Sequence, residues 1–288
     1  MLKILTKSLT ISLALFLTAC STPPPAQEPL QLNAQDVQRG QALAHGLAAC
    51  GSCHGATPKD ATSLLSGGAK MDDKYGELQA PSLMSKEVQS LSLKQIASAI
   101  RKSETSDDHK FSAIHHTGYH WMSDRDVNAL AAYIKSLPTK ESEISRRELS
   151  SFSFYTKGIL EFRPNVQGYV PLIPEGQTKA YGNYLVDNVA RCSSCHNSPE
   201  SLFSSAKYLI GGSEQTVSDK TLLAPNITNS DTYGIGEWGI SQITQYLKTG
   251  KTPNGEMVDV RFCPIDYFRR ASDSELNAIA TYLKSVSN

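Results

Sequence analysis

Two short cysteine motifs constrain the fold and the chemistry of this chain more than any other feature of its 288 residues. The segments 50–54 (CGSCH) and 192–196 (CSSCH) both have the pattern Cys-x-x-Cys-His. On a helical turn this spacing brings two thiols and an imidazole to neighbouring positions. The pattern is the signature of covalent c-type haem attachment, in which both thiols bond to the haem and the histidine binds its iron.

Other uses of paired cysteines explain these motifs less well. Two Cys-x-x-Cys units can bind zinc, and the cysteines of an exported protein can form disulfides. Neither use needs a histidine directly after each pair, and the two pairs lie far apart in the sequence. We therefore expect two covalently bound haem c groups. The predicted attachment residues are Cys50, Cys53, Cys192 and Cys195, and the predicted proximal iron ligands are His54 and His196.

The first residues of the chain are typical of a targeting segment. Two lysines precede a mainly apolar run at 8–18, which is too short to span a bilayer comfortably. The run ends in Leu-Thr-Ala before Cys20, which resembles a bacterial lipobox. We expect a lipoprotein signal peptide at 1–19, lipidation of Cys20, and a proline-rich linker at 20–35 that holds the protein at a membrane, facing the periplasm or the cell exterior. A plain signal peptide with a chance cysteine is the alternative.

The two halves of the chain repeat each other. Each haem motif follows a segment with Gly and Leu in register, at 38–43 and 180–185, and precedes a Gly-Gly pair and an Ala-Pro pair. Each half ends in a matching segment, at 122–137 and 271–286. This duplication predicts two domains of the same fold. The Gly-Gly pairs lie at 67–68 and 211–212, and the Ala-Pro pairs lie at 80–81 and 224–225.

The spacing of apolar residues predicts a mainly helical protein. In the segment that ends each half, apolar residues recur three and four positions apart, as on one face of a helix. Ser123 and Ser272 precede acidic residues and are the predicted N-caps of these helices, and Pro138 ends the first of them. Further helices are expected before each haem motif and at 91–101 and 238–248, with almost no alternating strand pattern.

Each half resembles a class I cytochrome c domain, and the whole is similar to the tandem two-haem cytochromes found with membrane dehydrogenases and respiratory chains. The resemblance rests on the haem motifs, the Ala-Pro-Asn-Ile-Thr run at 224–228, the Gly-Ile-Gly-Glu-Trp segment at 234–238 and the two C-terminal helices. It implies that the carbonyl groups of Pro81 and Pro225 orient the proximal imidazoles. It also implies an all-α fold, with cytochrome c domain 1 at 36–140, a linker at 141–175 and cytochrome c domain 2 at 176–288.

The second half departs from this family at the distal iron ligand. Members usually carry Met-Pro shortly before the C-terminal helix, and here Cys263-Pro264 takes that place. A thiolate ligand from Cys263 would favour ferric iron and would lower the reduction potential. The alternatives are ligation by Met257 or an open iron, with Cys263 as a buried free thiol.

The first half departs from the family at the same position. Ile114 takes the place of the methionine and cannot bind iron, and His115 and His116 follow it directly. We therefore predict a haem with two histidine ligands, with His115 slightly preferred. The alternatives are His120, Met122, Met71 or an open iron.

These features predict a membrane-anchored dihaem electron carrier on the periplasmic side, with a dehydrogenase, another cytochrome or an oxidase as redox partner. The 28 basic and 28 acidic residues give no net charge that would attract nucleic acid. A catalytic oxidoreductase is the alternative, because thiosulfate dehydrogenases are similar in their two-haem layout with a His/Cys haem, and peroxidases can also hold two haems. The sequence shows no separate substrate-binding motif, although Arg261, Arg269 and Arg270 near Cys263 could hold an anion.

Overall fold

The computed structural model of the protein describes most of the chain after the targeting segment. It covers residues 32–57, 60–73, 76–104, 114–144, 147, 166, 168–200, 204–217 and 220–287. The predicted signal peptide and the lipidation residue Cys20 lie outside these ranges. Within them, no helix is both long enough and apolar enough to cross a membrane.

The first half is mainly helical. A short antiparallel hairpin lies between its second and third helices, and two 3₁₀ turns precede its last helix. The elements are α1 (Ala34–Ala44), α2 (Gly51–His54), β1 (Lys70–Asp73), β2 (Gly76–Gln79), α3 (Lys86–Ser90), α4 (Leu93–Lys102), the 3₁₀ turns Ile114–His116 and Tyr119–Trp121, and α5 (Asp124–Ser136).

Among the described residues, the second half repeats this order of elements with two differences: it has no counterpart of α3, and one short α-helix takes the place of the two 3₁₀ turns. Its first helix continues as a π-helical turn at Leu185–Val189. The elements are α6 (Thr178–Tyr184), α7 (Ser193–His196), β3 (Glu214–Val217), β4 (Lys220–Leu223), α8 (Ile240–Thr249), α9 (Ile265–Phe268) and α10 (Asp273–Leu283). The dominance of helix confirms the predicted fold class.

The last helix of each half begins at its predicted cap. The hydroxyl of Ser123 accepts a hydrogen bond from the backbone N–H of Asp126, and Ser272 does the same for Glu275, both at 3.2 Å. These bonds satisfy donors that the first turn of a helix otherwise leaves unpaired. Helix α5 ends two residues before Pro138, as expected. The helices predicted at 91–101 and 238–248 are also confirmed, as α4 and α8.

The sequence does not predict the two hairpins, but they determine the course of the chain. Strands β1 and β2 pair antiparallel, as do β3 and β4, and the ladder continues into the Gly-Gly and Ala-Pro pairs. Gly68 donates to the carbonyl of Ala80 at 3.0 Å, and Gly212 donates to that of Ala224 at 2.8 Å. Each hairpin therefore returns an Ala-Pro pair to the haem motif that precedes it.

A glycine fixes the contact between the first and last helix of each half. A Cβ atom on Gly40 would overlap the carbonyl of Ala129 in α5, and one on Gly182 would overlap the carbonyl of Ala278 in α10. The close approach of the two backbones explains why glycine occupies the same position in both copies of the repeat.

The two halves share a continuous apolar core and a polar network at their junction. Arg39 in α1 donates to Asp126 in α5 at 3.1 Å and to Glu275 in α10 at 3.0 Å. The hydroxyl of Tyr184 in α6 donates to Asp126 at 2.6 Å. Asp126 is 1% exposed. Because a buried carboxylate needs such partners, this network fixes how the halves pack.

The end of the predicted linker packs on both halves. The backbone N–H of Asp124 in α5 donates to the carbonyl of Val170 at 2.9 Å, and Ile173 lies against the core. The hydroxyl of Ser274 in α10 donates to Glu175 at 3.4 Å. This part of the linker thus contacts the start of each C-terminal helix.

Replacing Gly182 by alanine should destabilise the haem-loaded protein by about 3 kcal/mol, because the added methyl forces α6 away from α10. Guanidinium unfolding followed by circular dichroism measures the change. The control is Gly176→Ala, since a Cβ on Gly176 meets nothing within 4 Å. It should change stability by less than about 0.5 kcal/mol. Equal effects of the two variants would contradict the proposed helix contact.

Candidate haem-binding sites

The first Cys-x-x-Cys-His motif forms a single helical turn whose histidine is held by a proline carbonyl. Ala49 enters the turn in the left-handed region with φ 45°, and α2 then carries Cys53 and His54. Nδ1 of His54 lies 2.8 Å from the carbonyl oxygen of Pro81. Because a carbonyl can only accept, Nδ1 carries the proton and Nε2 is the nitrogen available to a metal.

The second motif has the same geometry. Arg191 enters the turn with φ 54°, and Nδ1 of His196 lies 2.7 Å from the carbonyl oxygen of Pro225. The expected contacts of both prolines with the motif histidines are therefore confirmed. Burial lowers the pKa of His54 and of His196, which keeps each imidazole in the neutral form that binds metals.

The Gly-Gly pairs make this arrangement possible. Gly67 donates to the carbonyl of His54 at 2.7 Å, and Gly211 donates to that of His196 at 2.6 Å. Both glycines have positive φ, 76° and 74°. A Cβ on Gly67 would lie 2.5 Å from the nitrogen of Ser82, directly after Pro81. Glycine is needed because the returning Ala-Pro strand passes so close to the motif.

The four motif cysteines are half-buried free thiols. Burial raises the pKa of Cys50 to about 12 and that of Cys192 further still, so these thiols are protonated at neutral pH. With no disulfide between them, both thiols of each motif are available for bonds to a haem. Two free thiols beside an imidazole with its Nε2 available are the groups that covalent haem c needs.

The imidazole of His116, one of the two candidate ligands, faces that of the first motif histidine. The ring centroids of His54 and His116 are 6.3 Å apart, and Nδ1 of His116 lies 3.1 Å from the carbonyl oxygen of Ala99. Two imidazoles that bind one metal ion at about 2 Å each have centroids roughly 6 Å apart. Burial, followed by the neighbouring His54, lowers the pKa of His116 to about 3. The spacing and the neutral ring both suit a second iron ligand.

The structure also shows the surroundings of the other residues considered for the first iron. Met122 is fully buried in the apolar core, and its carbonyl accepts from Arg101 at 2.7 Å. His120 is buried in the second 3₁₀ turn. Met71 lies in strand β1.

Cys263, the predicted sulfur ligand of the second half, lies close to the thiols of the second motif. It lies directly before Pro264 and α9, packed against the apolar core. Burial, followed by the nearby thiol of Cys195, raises the pKa of Cys263 to about 12. Met257, by contrast, is 65% exposed. A methionine that faces solvent is poorly placed to enter a buried haem site.

Two of the three arginines near Cys263 are paired with carboxylates of the protein. Arg261 contacts Asp259 at 2.5 Å, and Arg269 contacts Asp266 at 2.9 Å. Each of these two guanidinium groups therefore already has a carboxylate partner within the protein.

The segment around each haem motif also contacts the other half, which the sequence patterns do not reveal. A Cβ on Gly51, between Cys50 and Cys53, would lie 2.7 Å from the hydroxyl of Tyr267. In the reverse direction, Nη1 of Arg191 donates to the carbonyl of His115 at 2.7 Å. The two motifs therefore face the junction between the halves.

Comparison with known proteins agrees with this geometry. Residues 37–138 match the cytochrome c family. The chain is 28% identical, over 97% of its length, to the fructose dehydrogenase cytochrome subunit of Gluconobacter japonicus, of which it covers 58%. It is 26% identical, again over 97%, to a dihaem c-type cytochrome of Cereibacter sphaeroides, of which it covers 98%. It is 27% identical, over 89%, to the gluconate 2-dehydrogenase cytochrome c subunit of Pantoea cypripedii, of which it covers 60%. The chain thus spans about three fifths of the two dehydrogenase subunits and nearly all of the dihaem cytochrome.

Proposed function

Because the chain is a cytochrome c of the class that includes dihaem cytochromes and the cytochrome subunits of membrane dehydrogenases, we propose that it carries electrons between redox proteins through two covalent haem c groups. The observation that supports two haem groups per chain is the repeated geometry of the motifs. Both copies place free thiols beside a histidine whose Nδ1 bonds to a proline carbonyl. Two tandem cytochrome c domains, at 36–140 and 176–288, follow from this proposal.

The chain supplies the attachment and the orientation of each haem. Cys50 and Cys53 would hold the first group, and Cys192 and Cys195 the second. When bound, haem supplies a one-electron iron couple. The proline carbonyls fix the ring orientation and the tautomer of His54 and His196, and they increase the basicity of the ligating nitrogen.

The two sites are proposed to differ in their second iron ligand. His116 is assigned to the first site because its ring lies at metal-bridging distance from His54. Cys263 is assigned to the second site because it is buried near Cys195 and takes the place of the family's methionine. Its thiol would lose its proton on binding iron, because a metal ion outweighs the effect of burial.

This difference gives electron flow a direction. A thiolate ligand stabilises ferric iron more strongly than an imidazole does, so the second site would have the lower potential. Electrons would then enter at the Cys263 half and leave at the His116 half. The donor would be a dehydrogenase, by analogy with the relatives that are dehydrogenase subunits, and the acceptor another cytochrome or an oxidase.

The proposed location is the outer face of a bacterial membrane. The lipobox-like sequence before Cys20 supports lipidation at this residue, followed by a proline-rich linker up to residue 35. A lipid anchor at this end would keep the electron carrier close to a membrane-bound dehydrogenase.

Replacing His116 by alanine should convert the first haem from a low-spin to a high-spin ferric state, because it loses one of two strong ligands. Visible spectra and magnetic circular dichroism of the oxidised protein distinguish these states. His115→Ala is the matched control and should stay low-spin. The opposite pattern would assign the ligand to His115, and two unchanged spectra would exclude both histidines.

Electron carriage is tested on the mature, haem-loaded protein. We expect two haems per chain, reversible one-electron reduction of both, and rapid electron exchange with a soluble cytochrome c in stopped-flow mixing. Thiosulfate and hydrogen peroxide should not be turned over. Steady turnover of either compound, with its loss in the Cys263→Ala variant, would contradict pure electron carriage and would indicate a dihaem oxidoreductase.

A further inference from the structure

Arg191 reaches from the second haem motif into the first haem site. It lies directly before Cys192, in a left-handed backbone conformation that directs its side chain across the junction. Nη1 donates to the carbonyl of His115 at 2.7 Å, and Cζ lies 4.2 Å from the centre of the Tyr119 ring. A single side chain thus contacts both ends of the segment that carries His116.

The ring beneath Arg191 is itself attached to the first motif. The hydroxyl of Tyr119 donates to the carbonyl of Ala48 at 2.5 Å, two residues before Cys50. The guanidinium group therefore packs on a tyrosine fixed to one motif while its backbone belongs to the other. A cation above an aromatic ring in a buried setting is a favourable contact. The side chains of Arg191 and Tyr119 therefore connect the residue directly before Cys192 to the segment directly before Cys50.

The charge of Arg191 acts on the groups of the first site. The guanidinium group bonds to the carbonyl of His115 and lies over the ring of Tyr119, so its positive charge is held beside the turn that carries His116. No carboxylate among the described residues forms an ion pair with Arg191. The positive charge of Arg191 therefore lies beside the first site without an ion pair to a described carboxylate of the protein.

We propose that Arg191 is the positioning residue that couples the two sites: it holds the His115–His116 turn against the first motif and raises the reduction potential of the first haem. This inference rests on the proposed function. A nearby positive charge favours the reduced state of a haem, because reduction removes one positive charge from the iron. The charge of Arg191 and the different iron ligands would act in the same direction. Both would make the potential of the first site, which we assign to electron exit, higher than that of the second.

Three variants separate the charge from the hydrogen bond. Arg191→Lys keeps the charge, Arg191→Gln keeps a donor without the charge, and Arg191→Met removes both. Potentiometric titration with spectral resolution of the two haems gives each midpoint potential. In the Gln and Met variants, the ratio of reduced to oxidised first haem at fixed potential should fall on the order of tenfold, which is about 59 mV for one electron. The Lys variant should retain most of the wild-type value, and the second haem should shift less in all three.

The spectrum of the first haem reports the positioning role. The Met variant should show partial loss of the low-spin, two-histidine signal, whereas the Gln variant should keep it. Arg125→Gln is the control, because Arg125 is an exposed cation on α5 of the same half. It should change neither the potential nor the spin state.

The outcomes distinguish this inference from the function on which it rests. A wild-type protein with fewer than two haems or no reversible couple would overturn the proposed function itself. Two normal couples, with the first potential unchanged in the Gln variant or shifted equally by Arg125→Gln, would overturn only the role of Arg191. If the Met variant does not mature, the Lys and Gln variants decide, because both retain a hydrogen-bond donor at this position.

Discussion

The hydrogen bond from each motif histidine to a proline carbonyl is the interaction on which both sites depend. It sets which imidazole nitrogen is available, and it requires the chain to return to the motif after a hairpin. That return passes the backbone so close to the motif that only glycine fits at Gly67 and Gly211. The first and last helices then cover the site, and they meet closely at Gly40 and Gly182 for the same steric reason.

The duplicated scaffold holds two chemically different sites. The proximal geometry is nearly identical in the two halves, with contacts of 2.8 Å and 2.7 Å to the proline carbonyls. The second iron ligands that we propose differ, since the first half would supply an imidazole, His116, and the second a thiol, Cys263. Because ligand identity is a strong determinant of haem potential, a repeat with unequal ligands gives an electron carrier a preferred direction. Arg191, which reaches across the junction, would raise the potential of the first site and so increase the difference in potential between the two sites.

Local patterns in the sequence predict the haem motifs and the capped helices, because each depends on a few neighbouring residues. The proline contacts join distant residues and are expected only from the resemblance to class I cytochrome c domains. The hairpins escape prediction because their strands are only four residues long and lack an alternating apolar pattern, and one of them, Lys220–Leu223, is exposed throughout. The choice between His115 and His116 depends on the rotation of a 3₁₀ turn, which spacing alone cannot fix. The contacts of Tyr267 with Gly51 and of Arg191 with Tyr119 join residues from different halves, so only the packed structure reveals them.

The central claim, one scaffold with two different ligand pairs, is tested most directly by low-temperature electron paramagnetic resonance of the oxidised protein. Wild-type protein is compared with Cys263→Ala, and with Met257→Leu as an exposed control. The account predicts two low-spin signals in the wild type, of which the one with the narrow g-value spread of a thiolate ligand disappears only in Cys263→Ala. A spectrum that Cys263→Ala leaves unchanged would contradict the assignment of Cys263 and, with it, the proposed direction of electron flow.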